Sequence, residues 1–347
     1  MLELIVYYLP MPFVIYLLYL LSGSYLVGGL FFLGSFLFLI RMTEIKSDTL
    51  RKKVKIIAAN YLFLYKTLCF ITVLAISLEV LGWGRVITTP TFLLLSLIFY
   101  ILLMWRGYQN YIKIKIKEYI VEVPNYNTEL NLVFLSDIHL SELRPLSYVE
   151  EIVEKVNGIS PDCILIGGDT IESHMEYIEG KGFEKVLKNL KSRHGIYGVL
   201  GNHEYIGNVD KNIEYLERCG IKILRDQSII IKKLEFIFRD DEANYYRKKL
   251  KYIYKSSYPK VIIDHRPKFE EDMSEDIELQ LSGHTHGGQF FPVNLGYMLK
   301  YKVVYGYKKI MDKAVIVSSG VGTGFFTYRT WSRAEIVKII IKGEIHE

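Results

Sequence analysis

Side chains that can bind a metal ion recur in five short blocks of this 347-residue chain, and each block directly follows an apolar stretch. Five of the eight histidines lie in these blocks. Imidazole nitrogens, carboxylates and amide oxygens are ligands that borderline divalent ions such as Mn, Fe or Zn accept. The blocks therefore predict a metal site, and they consist of Asp137 to His139, Asp169, Asn202 to Glu204, His265, and His284 to His286.

The number of candidate ligands favours two ions over one. Seven side chains are too many for a single ion that keeps an open position, but they suit two ions about 3.5 to 4 Å apart that share a carboxylate. His284 and His286 are two residues apart, so on an extended segment they point the same way, and the flanking glycines permit close backbone approach. The three cysteines are widely separated and form no CxxC pair, which excludes a cysteine-based zinc cluster or a disulfide framework.

An α/β domain is expected to position these residues, because short apolar strands alternate with amphipathic helices from about residue 112 onward. The predicted strands are 112 to 123, 131 to 136, 162 to 167, 196 to 200, 261 to 264, 278 to 282, 314 to 319 and 335 to 341. The predicted helices are 147 to 157, 182 to 194 and 209 to 219. Ligand sites in such sheets form at the carboxyl ends of strands, so the five blocks can converge on one crevice.

The blocks also occur in an order that resembles the calcineurin-like metallophosphoesterases, whose pattern is DxH, GD, GNH[DE], a lone His and GHxH. Here the pattern runs from Asp137 to His286, and the longer strings GNHEY, LSGHTHGGQF and SSGVGTG are similar to the bacterial membrane-associated branch. The resemblance implies a metallophosphoesterase-type β-sandwich flanked by helices. One departure follows the GD block, where Glu172 stands in place of the more usual Asp.

The resemblance also implies a role for each residue. The first ion would be held by Asp137, His139 and His286, the second by Asn202, His265 and His284, and Asp169 would bridge the two. A hydroxide bridging both ions would attack phosphorus. His203 would stabilise the developing charge and protonate the leaving oxygen, so His203 and Asp169 are the predicted catalytic residues. For Arg329 both a substrate contact and a surface salt bridge stay open, and Asp240 and Asp241 are expected to be solvated.

The first 105 residues have a different composition, with eight basic and four acidic side chains among long apolar runs. Four membrane-spanning helices are predicted, over residues 4–21, 25–40, 56–82 and 87–105, as an all-α region preceding the catalytic domain of residues 106–347. The connections after the second and fourth runs are basic, whereas the other two connections contain only Arg85. Under the positive-inside rule, the protein is predicted to be a multi-pass protein of the cell membrane with its catalytic domain in the cytoplasm.

The predicted function is hydrolysis of a phosphomonoester, a phosphodiester or a pyrophosphate bond by a membrane-anchored enzyme that uses two divalent ions. Two alternatives stay open: a pyrophosphatase acting on a nucleotide-linked lipid, and a non-catalytic membrane sensor or scaffold. The expected partners are a phosphate-ester substrate, with a lipid link as one option, and the membrane. The net charge of +5 is small, so a nucleic acid is not expected as a specific partner; the sequence leaves the oligomeric state open.

Overall fold

A computed structural model of the chain describes Ser77, Leu81, Gly82 and residues 90–124, 126–253, 255–268, 277–290, 294–310, 312–324 and 327–343. Contacts divide the chain into two compact units that meet between Arg106 and Gly107. The described strands are β1 Lys115–Val123, β2 Leu130–Leu135, β3 Cys163–Gly167, β4 Ile196–Val199, β5 Lys222–Ile223, β6 Gln227–Ile231, β7 Leu234–Phe238, β8 Lys260–Ile263, β9 Ile277–Ser282, β10 Gly306–Ile310, β11 Lys313–Val317 and β12 Glu335–Gly343. The described α-helices are α1 Pro90–Ile112, α2 Leu146–Ile159, α3 Phe183–Leu187, α4 Val209–Arg218 and α5 Asn294–Lys300.

The strands form two six-stranded sheets of mixed direction. The first has the order β1-β12-β2-β3-β4-β5 and the second the order β10-β11-β9-β8-β7-β6. In the first sheet only β12 and β2 pair antiparallel, and in the second sheet only the two edge pairs, β10 with β11 and β6 with β7, do so. The central strands are therefore parallel, and their carboxyl ends lie at one edge of each sheet.

The two sheets pack face to face over a core of alternating strand residues, which include Phe134 of β2, Phe236 of β7 and Ile339 of β12. The opposite face of the first sheet is covered by α2, α3 and α4, whose buried side chains include Ile152, Phe183 and Tyr215. Burying one strand face against the other sheet and one against helices removes most apolar area from water, which is the main stabilising contribution. The prediction of an α/β fold with mixed sheets is confirmed.

No helix in the described part of the chain is long and apolar enough to cross a membrane. This finding contradicts the predicted location in the cell membrane, and the four-helix transmembrane region, with the membrane as partner and the cytoplasmic catalytic domain, is wrong on this evidence. The predicted segments 4–21 and 25–40 lie outside the described residues, as does nearly all of 56–82. The predicted segment 87–105 overlaps α1, which continues beyond it through Arg106, Gln109 and Asn110.

The end of α1 has polar contacts inside the catalytic domain. The Asn110 side chain donates to the carbonyl oxygen of Arg329 at 2.9 Å, and the Asn110 carbonyl accepts from Ala334 N at 3.0 Å. An apolar run read from composition gave no indication that the same helix continues into residues whose hydrogen bonds are made by protein.

The other differences from the predicted elements are at edges and ends. The predicted helix 182–194 is only the five residues of α3, because its last turn tightens into bonds from Asn189 N to Val186 O and from Leu190 N to Leu187 O. The short edge strands β5, β6 and β10 were not predicted. Edge strands carry exposed polar side chains, as the two lysines of β10 do, and these obscure the alternation that marks a half-buried strand.

Candidate metal centre

All five predicted blocks meet at the carboxyl ends of the parallel strands. Asp137 follows β2, Asp169 follows β3 and Asn202 follows β4 in the first sheet, while His265 follows β8 and His284 follows β9 in the second. Backbone bonds connect neighbouring blocks, from Asp137 N to Gly168 O at 3.0 Å, His139 N to Asp169 O at 3.0 Å and Gly283 N to His265 O at 2.9 Å. The crevice therefore lies where the two sheets of the sandwich end side by side.

Asp137, His139 and His286 form one group with converging ligand atoms. The Nε2 atoms of His139 and His286 are 3.0 Å apart, and Asp137 Oδ1 lies 3.3 Å from His286 Nε2 and 3.9 Å from His139 Nε2. Two imidazole nitrogens that bind one ion at right angles, each about 2.1 Å from it, are separated by about 3 Å. The spacing of this group therefore fits a divalent ion.

Asp169, His265 and His284 form a second group. His265 Nε2 lies 3.1 Å from Asp169 Oδ2 and 3.2 Å from His284 Nδ1. The same Asp169 Oδ2 is 4.0 Å from His139 Nε2 of the first group, so the Asp169 carboxylate lies between the two. Its Oδ1 accepts the backbone N–H of His203 at 2.8 Å, which fixes the carboxylate in this position.

Asn202 supplies an independent indication of a cation. Its side-chain oxygen Oδ1 is buried and has no hydrogen-bond partner in the described residues. A buried polar oxygen without a partner is costly, and a metal ion would satisfy it. The donor set of imidazole, carboxylate and amide oxygen thus fits divalent ions, and their identity among Mn, Fe and Zn is not fixed by it.

The remaining nitrogens of two histidines have partners that orient the rings. His265 Nδ1 lies 2.8 Å from the carbonyl oxygen of Gly167, and His139 Nδ1 lies 2.6 Å from the Glu172 carboxylate. Since a carbonyl only accepts, Nδ1 of His265 carries the hydrogen and Nε2 keeps its lone pair for the site. Such outer contacts fix the tautomer and the ring orientation of metal-binding histidines.

Charge in the crevice shifts several pKa values. Burial lowers the pKa of His265, but the adjacent Asp169 carboxylate outweighs burial and raises that pKa to about 10. Burial raises the pKa of Asp169, yet attraction to His265 holds it well below its usual value, while burial dominates at Asp137 and raises its pKa. Burial, reinforced by a histidine neighbour, keeps the pKa of His284 and of His286 well below 6.5, so these two rings are neutral ligands.

His203 has the position of a proton donor rather than that of a predicted ligand. Its Nδ1 lies 2.6 Å from the carbonyl oxygen of Glu172, so Nδ1 carries a hydrogen and Nε2 is the nitrogen that can exchange a proton. The ring is edge-on to His139, with 4.7 Å between the ring centroids. His203 therefore stands beside the first group.

The backbone of the site is strained. Asp137, His139, Asp169, His284 and His286 all have positive φ values, between 49° and 68°, a region that residues other than glycine rarely adopt. Such conformations cost about 1 to 3 kcal/mol each and persist where the surrounding structure enforces them, most often at functional sites. Their concentration here identifies the crevice as a functional site on conformational grounds alone.

Three expectations about neighbouring residues were wrong. Arg329 is fully buried and contacts backbone carbonyls, so it forms no surface salt bridge. Asp240 and Asp241 are buried rather than solvated: Asp240 accepts from Tyr205 Oη at 2.5 Å, and Asp241 pairs with Arg266 through two contacts of 2.9 Å. Arginine beside these acids offsets the cost of burying them.

Two acidic residues near the site received no role from the sequence. Glu172 contacts His139, as described above, although only its departure from the usual Asp had been noticed. Glu204 is fully buried and accepts the backbone N–H groups of Asp169, Ile171 and Gly201 at 3.0, 2.9 and 2.7 Å. Its place directly after Asn202 and His203 was the available signal.

Comparison with known proteins agrees with this geometry. Residues 130–288 match the calcineurin-like phosphoesterase family. A protein of Helicobacter pylori described as an uncharacterized metallophosphoesterase is 33% identical over 256 residues, which are 70% of this chain and 69% of that protein. A second protein of that description, from Aquifex aeolicus, is 28% identical over 245 residues, 67% of this chain and 93% of its own length. A Danio rerio protein named transmembrane protein with metallophosphoesterase domain is 29% identical over 242 residues, 64% of this chain and 55% of its own length.

These matches confirm the resemblance, the hydrolase class and the use of divalent metal ions, for which the His and Asp groups described above supply the ligands. A relative with one third of its residues identical over more than two thirds of both chains shares the whole domain rather than a single motif. The chain belongs to the calcineurin-like phosphoesterase family.

Proposed function

We propose that this chain hydrolyses phosphate esters at a binuclear metal centre. Asp137, His139 and His286 would hold the first ion, Asn202, His265 and His284 the second, and Asp169 would be shared between them. The observation that carries this proposal is the position of the Asp169 carboxylate, whose Oδ2 is 3.1 Å from His265 Nε2 and 4.0 Å from His139 Nε2. A single carboxylate within reach of both groups is what two ions about 3.5 to 4 Å apart require.

The chain's own residues prepare this centre for chemistry at phosphorus. Two bound divalent ions would supply positive charge for the phosphoryl oxygens and lower the pKa of water toward neutrality. The protein holds the ligands in place before any ion binds, through the backbone N–H of His203 on Asp169 and the Gly167 carbonyl on His265. Preorganisation of this kind reduces the rearrangement needed in the transition state.

His203 would act as the general acid. The Glu172 carbonyl fixes the ring through Nδ1, so a proton on Nε2 is the one available for a leaving oxygen. Together the predicted ligands, the shared carboxylate and the oriented His203 support an enzyme more than a binding-only protein, because a chain that only bound phosphate would need neither a shared carboxylate nor a proton donor.

Activity of the full-length protein, loaded with manganese, tests the proposal. We expect turnover of at least one of three substrates: a nitrophenyl phosphate monoester, the corresponding diester or a nucleotide-linked lipid pyrophosphate. The fastest of the three identifies the bond class. Asp169→Asn should lower kcat/KM by about a hundredfold or more, whereas His194→Ala, at a histidine outside the site, should leave it unchanged.

The general acid has a separate test in His203→Ala. This variant should retain bound manganese and lose about a hundredfold to ten-thousandfold in kcat. Full activity of Asp169→Asn would contradict the shared carboxylate, and loss of manganese in His203→Ala would show that His203 is a ligand instead.

A further inference from the structure

The loop of residues 318–324, which follows β11, forms one wall of the first ligand group. Val321 N donates to Ser136 O at 3.0 Å and Gly322 N donates to Asp137 O at 2.8 Å. Contact is so close that a Cβ on Gly322 would lie 1.9 Å from the carbonyl oxygen of Ile138. The 318–324 loop is therefore held directly against the block that contains Asp137 and His139.

Four consecutive carbonyl groups of this loop are held from its other side. Arg329 donates through Nη2 to Gly320 O at 2.9 Å and through Nε to Gly322 O at 3.1 Å. Tyr148 Oη donates to Val321 O at 2.7 Å, and Arg144 Nη2 donates to Thr323 O at 2.8 Å. The orientation of each of these peptide groups is thus fixed by a buried side chain.

Two N–H groups of the same loop are left without an acceptor. In a planar trans peptide the N–H points away from the C=O, so the N–H groups of Thr323 and Gly324 point away from Arg329 and Arg144. In the described part of the chain neither group has a hydrogen-bond partner, although Thr323 is only 3% exposed. Buried N–H groups without an acceptor are rare, so a ligand is the expected partner.

These N–H groups lie beside the first ligand group. A Cβ added to Gly324 would be 3.8 Å from Cε1 of His139 and 3.9 Å from its Nε2, the nitrogen that faces His286. The preceding N–H groups of the loop already bind the Asp137 block, so those of Thr323 and Gly324 continue the row toward His139.

The charge behind the loop favours an anion. Arg144 and Arg329 are both buried, and neither forms an ion pair with a carboxylate among the described residues. Arg144 Nε is also buried without a hydrogen-bond partner. A buried cation without a counter-ion is costly, and an anion bound on the open side of the loop would reduce that cost through the polarised peptide groups.

From this arrangement we infer that the backbone N–H groups of Thr323 and Gly324 bind an oxygen of the substrate phosphoryl group at the first metal subsite. Arg144 and Arg329 act as positioning residues, because they fix the peptide groups and do not touch the ligand. The inference rests on the proposed function for the nature of the ligand, a phosphate oxyanion. Backbone N–H groups arranged in this way are a common means of binding phosphate.

Calorimetric titration of the manganese-loaded, full-length protein with inorganic phosphate tests the inference. Gly324→Ala places a methyl group beside His139 at an ordinary contact distance, in the space that the oxyanion would occupy. Arg144→Lys keeps the charge but lacks the fork that reaches both Tyr111 Oη and Thr323 O. Each variant should raise the Kd of phosphate about tenfold, with unchanged manganese content. Gly158→Ala, at an exposed helix position where a Cβ meets nothing within 4 Å, is the matched control and should bind phosphate as the wild type does.

An unchanged Kd in folded Gly324→Ala would overturn the inference, and so would a weaker Kd that merely follows loss of manganese. If Arg144→Lys does not fold, Gly324→Ala decides alone. Failure of the proposed function has a different signature: wild-type protein that binds phosphate, loses that binding in Gly324→Ala and yet hydrolyses none of the three esters. That result would retain the oxyanion site and remove the hydrolytic reaction.

Discussion

Glu204 shows how one side chain can organise a site that it does not enter. All three of its partners are backbone N–H donors, at Asp169, Ile171 and Gly201, so only acceptor atoms fit there. Burial, followed by repulsion from Asp169, raises its pKa to about 7, while the N–H groups of Ile171 and Gly201 oppose the shift. The side chain connects the loop after β3 to the loop after β4 and so supports the positive φ of Asp169.

Replacing this carboxylate by an amide should therefore destabilise the protein. Glu204→Gln points an NH₂ group at an N–H donor, and we expect the free energy of unfolding to fall by about 1 to 3 kcal/mol. Urea denaturation at neutral pH measures the change, with Glu214→Gln on the exposed side of α4 as a control expected to change it by less than about 0.5 kcal/mol. Equal stability of Glu204→Gln and the wild type would show that these three bonds are not needed.

At the scale of elements, loops from two sheets approach so closely that glycine is required where they meet. A Cβ on Gly283, after β9, would lie 2.3 Å from Asp137 Oδ2, and a Cβ on Gly201, after β4, would lie 2.2 Å from Asp169 Oδ1. These two glycines precede the ligand histidines and Asn202 because any side chain would displace the neighbouring carboxylate. Each motif glycine thus has a steric reason that depends on the other sheet.

Strand β7 anchors the segment that leads to β8 through Glu235. Its carboxylate accepts from Ser228 Oγ at 2.6 Å, from Lys255 N at 2.7 Å and from Ser256 N at 3.0 Å. Burial alone would raise the pKa of Glu235, but these hydrogen bonds outweigh burial and lower it. Because the folded-state pKa is below the unfolded one, the stabilisation is present above about pH 4.3 and is lost as the pH falls through the folded-state pKa.

Thermal unfolding as a function of pH tests this anchor. Glu235→Gln should lower Tm at pH 7, and the difference from the wild type should shrink as the pH falls below about 4.3. Glu150→Gln, at an exposed position of α2, should show no such pH-dependent difference. A difference in Tm that stays constant down to pH 3 would assign the loss to packing instead.

For the molecule as a whole, bound cations should contribute to stability. Asp137, Asp169, Glu172 and Glu204 bring four buried carboxyl groups to the crevice. Ligands that bind only the folded state stabilise it by about 2.7 kcal/mol at a concentration one hundred times their Kd. The family's divalent ions are therefore expected to offset the repulsion between these groups.

Removal of metal should accordingly lower Tm. We expect a chelator to reduce Tm by several degrees and added manganese to restore it, measured by calorimetry on the full-length protein. Asp137→Asn removes a predicted ligand and should respond much less to either addition. A chelator effect of the same size in Asp137→Asn would place the stabilising ion elsewhere.

The sequence alone determined which residues carry the chemistry. Asp137, His139, Asp169, Asn202, His265, His284 and His286 each follow an apolar strand, and a strand followed by glycine or a small residue and then a polar side chain is a local pattern. Parallel strands end at a common edge, so local patterns were sufficient to predict that these residues converge. Composition was a weaker guide, and the membrane prediction drawn from it was wrong.

Only the tertiary structure decided what supports those residues. Asn110 is bonded to Arg329, 219 positions away, and Arg144 is bonded to Thr323, 179 positions away. Nothing local distinguishes a buried Arg329 from an exposed one, because its burial depends on carbonyl groups that another loop supplies. The same holds for Asp240 and Asp241, whose charges are compensated by Arg225 and Arg266. Long-range contacts of this kind are decided by how the two sheets pack, and that packing is not written in any short stretch of the chain.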